Sequence, residues 1–442
     1  MFKTFRNAFK IKDIRSRLLF TFIAMIIVRL GSQLPVPGIN REFFSQQIGL
    51  QTSLGFFDTL TGGSFSQMSI FALNITPYIT SSIIMQLLTI AIPKLEELQK
   101  DGEDGRKKIL EYTRYVTVAL ALVESIAMAI GFGRSGYLDG GLTFSNVAII
   151  VASLTAGSAF LMWLGERITE KGVGNGISII LLINIIAKLP SDMTMLFRQF
   201  VLGASNVMSG LLGAVVIIAV IAAVVVFVVL LQSAQRKIPV QYAKKVQGRK
   251  MVGGQSSHIP LKVNTAGVIP VIFAGSLMQF PIVVSSFFGV QPARANTWPK
   301  VLYLLDQNAW CDFSSFGEFK YTLGLLIYIA LVIFFAYFYT SITFNPIEVS
   351  NNMKKQGGFI PGIRPGKPTT EYLTRVVNYI ILVGAIALTI IAVIPIFFSG
   401  AFNAQISFGG TSLIIIVGVV LDSMKQIESQ MLVRHYKGFL ND

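Results

Sequence analysis

The sequence predicts an all-α integral membrane protein with ten transmembrane helices. Three observations carry that prediction: an apolar composition, apolar runs of bilayer-crossing length, and positive charge gathered on one side. Of 442 residues, 53% are hydrophobic and 13% charged, about half the charged share of an ordinary soluble domain. A soluble chain of this length would need far more surface charge to stay dispersed. Lipid is therefore the solvent for most of the chain.

Runs of the length that crosses a hydrocarbon core about 30 Å thick lie near 18–34, 73–92, 115–133, 146–164, 176–187, 211–231, 265–289, 321–343, 376–398 and 405–421. The fifth is short; the sixth, rich in Val, Ile and Ala, is the cleanest. The start is basic from Lys3 to Arg17 and apolar from Leu18 to Leu30, the arrangement of a cleavable signal. The following Gly31-Ser-Gln-Leu-Pro-Val-Pro-Gly38 offers no small-x-small cleavage site, so the run reads as a retained first span. The tail before the first span, the loops after the second, fourth, sixth and eighth, and the C-terminal tail together hold 29 Lys and Arg, against seven in the opposite loops. That asymmetry places both termini in the cytoplasm.

Phe56 to Gln67 precedes the second span on the outer side. It is too polar to face lipid and too aromatic for a comfortable solvated loop. Composition leaves two readings open, a loop on the outer surface or backbone buried in protein at membrane depth. An internal echo bears on architecture. Pro77 to Leu87 and Pro270 to Phe280 share Pro, Ile, Met and Gln without a gap, and Gly176-Ile-Ser-Ile-Ile-Leu181 echoes Gly410-Thr-Ser-Leu-Ile-Ile415. Both echoes pair span n with span n+5, which predicts two pseudo-symmetric five-helix halves, 1–190 and 191–442.

The loop 232–264 carries Arg236, Lys237, Lys244, Lys245, Arg249, Lys250 and Lys262 with no acidic residue. Positive-inside bias needs fewer charges, so this loop reads as a docking surface for RNA phosphate or acidic protein. In the loop 344–374, Gly357-Gly-Phe-Ile-Pro-Gly-Ile-Arg-Pro-Gly-Lys-Pro368 is not a phosphate cradle, because its spacing is one short and Pro368 stands where a hydroxyl is needed. Its Pro and Gly density predicts a stiff projection presenting Arg364. Arg29 and Glu124 are the clear ionisable residues within spans, and a structural pair between them is within geometric reach. A lone Cys311 excludes an intramolecular disulfide. No nucleophile with a base, carboxylate dyad or metal spacing is legible, so neither catalysis nor a cofactor is expected. A secondary transporter with inverted repeats is the rival reading, but it calls for a midplane site of polar and ionisable groups, and the spans offer mainly Arg29 and Glu124.

Several stretches resemble the SecY family, in the family's order: Asn74-Ile-Thr-Pro-Tyr-Ile-Thr80 with Ile84-Met-Gln-Leu-Leu88, Gly102-Glu-Asp-Gly-Arg-Lys-Lys108 with Tyr112-Thr-Arg-Tyr115, and Leu161-Met-Trp-Leu-Gly-Glu-Arg-Ile-Thr-Glu170. Gly172-Val-Gly-Asn-Gly-Ile-Ser178, Ile238-Pro-Val-Gln-Tyr-Ala-Lys244, Pro361-Gly-Ile-Arg-Pro-Gly366 and Phe408-Gly-Gly-Thr-Ser-Leu413 continue it. The resemblance implies a clamshell with an hourglass pore, the channel by which unfolded secretory proteins cross, and membrane proteins laterally enter, the bacterial cytoplasmic membrane. It assigns a re-entrant plug helix to about 55–67, with Phe56, Phe57, Leu60, Gly62, Gly63 and Phe65. It places a pore ring on Ile79, Ile83, Ile177, Leu181, Ile272 and Ile415. The echo independently superposes Ile79 on Ile272 and Leu181 on Ile415. A lateral gate is implied between spans 2–3 and 7–8, where the echo-matched Gln86 and Gln279 are expected to face protein or the seam. The implied partners are SecE, SecG, the SecA ATPase, the ribosome, signal sequences, unfolded polypeptide and membrane lipids. Both drivers would dock on the basic loops, including Arg364.

Overall fold

The computed structural model describes residues 9–39, 58, 61–134, 136, 138, 141–203, 206–242, 245–247, 250–252, 256–287, 290, 292, 297–307, 310, 322–402 and 410–438. Six helical stretches are long and apolar enough to cross a membrane: 103–134, 144–171, 176–202, 210–233, 323–355 and 367–397. A seventh, 76–100, qualifies as a pair bent by 102°. Helices at Lys12–Gly31, Ile269–Phe287 and Gly410–Gly438 occupy the three remaining expected positions. Two compact units form, one of residues 1–196, 280–303 and 419–442 and the other of 197–279 and 304–418.

The first unit contains α1 (Lys12–Gly31), α2 (Thr76–Ala91), α3 (Pro93–Lys100), α4 (Glu103–Arg134) and α5 (Phe144–Lys171), and most of α6 (Gly176–Phe197). The break between α2 and α3 falls where Pro93 demands it. Proline forces its predecessor out of the helical region, and Ile92 is extended at φ −112°, ψ 111°. Proline then suits the first turn of the next helix, whose N–H groups have no partner in any case. α4 and α5 pack through small and hydroxylated residues, which let helix backbones approach in lipid. Thr113, Thr117, Ala121 and Ser125 recur every four residues along the buried stripe of α4. Ser125 Oγ lies 3.0 Å from Thr155 Oγ1 on α5.

The fifth span is longer than the sequence suggests. Expected over 176–187, it runs as α6 through Phe197 with Pro190 inside it. The polar Lys188 and Asp192 and the proline imitate a loop. The helix runs on although Pro190 has no N–H to give the Ile186 carbonyl; one turn later Thr194 Oγ1 donates to the Pro190 carbonyl at 2.8 Å.

The second unit is built on α7 (Val207–Ser233), α10 (Leu323–Thr343) and α12 (Lys367–Phe402), with most of α8 (Ile269–Phe287); the short α9 (Thr297–Leu305) follows α8 in the chain. Val224, Val228 and Leu231, one stripe of the almost wholly apolar α7, pack with Val271, Ala274 and Met278 of α8, Tyr328 and Val332 of α10, and Leu388 and Ile391 of α12. Gly324 makes room for Trp310: a Cβ there would sit 2.3 Å from the indole Nε1.

One departure from an all-helical fold lies in the basic loops. Strand β1 (Gln235–Tyr242) pairs antiparallel with β4 (Ser256–Lys262), and between them β2 (Lys245–Gln247) pairs with β3 (Lys250–Val252). β5 (Gly358–Phe359), from the other basic loop, joins the free edge of β1, giving the order β4-β1-β5. Alternation along β1 turns Ile238 and Val240 inward, onto Leu261, Met353, Ile360, Leu373 and Val376. The helix α11 (Pro346–Lys355) completes the body, capped by Asn345, whose side chain accepts from the Ile347 and Glu348 amides. Two loops distant in sequence thus share one small core.

Because Leu373 is fully buried in that core, Leu373→Ala should destabilise the sheet body by about 2–5 kcal/mol. Limited trypsin digestion in detergent should then cleave the 232–264 and 344–374 loops markedly faster than in the unsubstituted protein.

Candidate functional site

The segment ahead of the second span is built from turns. The Gly63 amide donates to the Asp58 carbonyl at 3.0 Å, Gln67 N to Gly63 O at 3.2 Å and Met68 N to Phe65 O at 3.0 Å. Gly62 and Gly63 take φ of +66° and +85°, a region where side chains are strained. Gly62 has a second reason to be glycine, since a Cβ would lie 2.6 Å from the Asn184 carbonyl oxygen on α6. Phe65 is buried with Val36, Met68, Ala121, Met128 and Leu154. Val36 N donates to Met68 O and Ile70 N to Leu34 O, both at 2.9 Å, so the chain leaving α1 is stitched to the segment. Phe56, Phe57 and Leu60 lie outside the described residues.

Charged side chains fasten the same segment. Arg29 Nη1 of α1 donates to the Gly62 carbonyl at 3.3 Å. No ion pair joins Arg29 to Glu124; the arginine's role is structural, but its partner is backbone. Lys188 of α6 pairs with the Asp58 carboxylate, whose Oδ1 accepts from the Ser66 amide at 2.9 Å. Sequence reasoning missed this pair by counting Lys188 among the outer-loop cations. The signal was available in the spacing: Leu181, Asn184 and Lys188 follow at i, i+3 and i+7, one face of a helix.

The apolar ring candidates sit on helices in both units. In the first, Ile79 and Ile83 on α2 are half-buried one turn apart, as is Ile177 on α6, while Leu181 is buried. Ile177 occupies the space left by Gly165, where a Cβ would sit 2.6 Å from its Cδ1. In the second, Ile272 on α8 and Ile415 on α13 (Gly410–Gly438) are buried. Gln86 is half-buried. Gln279 is 1% exposed, and its Oε1 has no hydrogen-bond partner among the described residues.

On the sheet body, Arg236 and Lys237 of β1 and Arg364 of the neighbouring loop are all exposed. The Arg364 carbonyl accepts from Thr369 Oγ1 at 2.8 Å, which ties its loop to the start of α12. Lys245 opens β2, and Lys250, opposite Gln247, opens β3. Lys244 and Arg249 lie outside the described residues.

The SecY family model matches residues 69–424. The protein translocase subunit SecY of Halalkalibacterium halodurans is 44% identical over 451 residues, covering all of both chains. That of Thermotoga maritima is 41% identical, covering all of this chain and 98% of its own. A solved SecY structure, described as having a plug domain that stabilises the closed state of the translocation channel and maintains a membrane seal, aligns with a TM-score of 0.61 at 18% identity, covering 94% of this chain and 92% of that one. The yeast Ssh1 complex bound to the yeast 80S ribosome aligns with a TM-score of 0.61 at 15% identity, covering 96% and 89%. At such identities these structures speak for the fold, and the family follows from the match over most of the chain and the full-length identities: this chain belongs to the SecY family.

Proposed function

We infer that the chain is the protein-conducting channel of a bacterial cytoplasmic membrane, passing unfolded polypeptides across and releasing apolar segments sideways into lipid. The observation that carries this reading is the turn-built segment from Gly62 to Ile75, held by side chains and backbone of the spans rather than continuing as a span. Such backbone is tolerated at membrane depth only inside protein or along a cavity, and a channel has use for a stopper there. Residues 55–67 are the plug, and the two five-span halves, 1–190 and 191–442, form the clamshell.

Ile79, Ile83, Ile177, Leu181, Ile272 and Ile415 form the constriction. A charged filter would fail with cargo of varied sequence, whereas an apolar ring blocks ions by dewetting and lets a chain slide. The internal echo, which superposes two pairs of these positions, supports the assignment. Gln86 and Gln279 line the lateral gate, where a signal sequence's apolar core of about 7–15 residues partitions into lipid. Burial of Gln279 accords with an amide kept from acyl chains.

Force comes from partners. Arg236, Lys237, Lys244, Lys245, Arg249, Lys250 and Arg364 dock either the SecA ATPase or a ribosome, and SecE and SecG complete the complex. The ribosome-bound relative and the exposure of Arg236, Lys237 and Arg364 support the docking role.

Two measurements test these assignments. Ile415→Asn should wet the constriction, raise ion leak through the resting channel and relax the demand for a good signal sequence; unchanged conductance in planar bilayers would remove Ile415 from the ring. Arg364→Glu should impair SecA-driven transport of a preprotein into proteoliposomes while the channel stays folded, because the side chain is exposed. Normal transport by that variant would remove Arg364 from the docking surface.

A further inference from the structure

Two opposite charges meet where the segment ahead of the second span touches α6. Asp58 and Lys188 are both withdrawn from water, with side chains 9% and 16% exposed, and they pair with each other. The carboxylate is further held by the Ser66 amide at 2.9 Å. Around them the segment is tied down twice more, by Arg29 on the Gly62 carbonyl at 3.3 Å and by the close passage of Gly62 over the Asn184 backbone. Lys188 lies on the helix face that carries Leu181, seven residues further along and so about 10 Å away at the rise of an α-helix. Since α6 starts on the cytoplasmic side, the pair sits outward of the ring position.

We propose that Asp58 and Lys188 form an ionic latch that holds the plug segment against the first and fifth spans at rest, and that admission of a polypeptide requires the pair to separate. The proposal rests on reading 55–67 as the plug. Its physical basis is the asymmetry of a buried ion pair. Each charge has given up hydration for the other, so separating them while the surroundings stay dry is strongly unfavourable. If water enters as the segment moves, both ends are solvated again and the cost falls. The latch therefore favours two states, shut and dry or displaced and wet, and disfavours a half-lifted segment. Removing one partner strands the other charge and weakens the shut state selectively.

The test uses the full chain, purified with its companion subunits and reconstituted into planar bilayers, with resting ion conductance as the readout. Asp58→Asn and Lys188→Gln should each raise resting conductance by about tenfold or more, the scale set by an uncompensated buried charge. Lys188→Arg, and the exchanged pair Asp58→Lys with Lys188→Asp, should return it towards the unsubstituted value. Single variants as tight as the parent, or an exchanged pair as leaky as the single variants, would overturn the latch.

A second measurement strands no charge. In a Cys311→Ser background, Asp58→Cys with Lys188→Cys is bridged by a short bis-methanethiosulfonate reagent. Bridging should abolish preprotein transport and reductant should restore it; transport through the bridged channel would show that the two positions need not separate, and would overturn the proposal. Transport by the unsubstituted chain is the control for the channel reading. Its failure would refute that reading, whereas the conductance comparison decides the latch by itself.

Discussion

A peptide group in hydrocarbon has no water to fall back on, and leaving its N–H or C=O unpaired costs several kcal/mol. Most of this chain answers by staying helical. The instructive part is Gly62 to Ile75, where it does not, and where neighbouring helices supply what a helix would have supplied internally. Ser158 Oγ donates to the Asn74 carbonyl at 3.0 Å, and Arg29 to that of Gly62. Asn74 itself takes φ +52°, which asparagine tolerates better than most residues. Gly157 on α5 approaches so closely that a Cβ would meet the Ile70 carbonyl at 2.1 Å. The glycines and hydroxyls of the first unit are thus arranged around an irregular segment that could not otherwise sit among spans.

Much of this was legible in advance because the governing signals are local. Apolar runs and Lys/Arg asymmetry report directly on the solvent each stretch meets, and ten helices stand where ten runs were read. The long motifs about Pro77, Gly172 and Ile238 carry the family's resemblance in the sequence itself. What escaped reading depends on partners distant in the chain. Lys188 looks like a loop cation until Asp58, 130 residues earlier, is placed beside it. Similar depth in the first and third spans makes an Arg29–Glu124 pair geometrically possible, yet the arginine's acceptor is the Gly62 carbonyl, which no residue-type pattern can reveal. The chain is mostly helical as expected, and the short strands among the described residues lie in the basic loops, where Gly, Pro and charge mask the alternation of Ile238, Val240 and Tyr242 along β1.

The sheet body built from the two basic loops illustrates how little apolar surface suffices when backbone pairing assists. β1 carries few apolar side chains, but it is bonded on one edge along its length to β4 and on the other to β5. Leu373, Val376 and Ile380 lie at the inner end of α12, and they bury the same face as Met353 of α11 and Ile360 beyond it. The charged residues of β1 are thereby held at fixed positions by the buried residues beneath them.

The two-residue strand β5 has a mechanical consequence out of proportion to its size. By joining the edge of β1 it makes one stiff lever of loops that leave the membrane from different helices. A load pressed onto either loop is borne by both, and reaches α7 through Ala234 and α12 through Leu373 as a torque about their inner ends. Without that short seam the two loops would be coupled through their shared side-chain core alone.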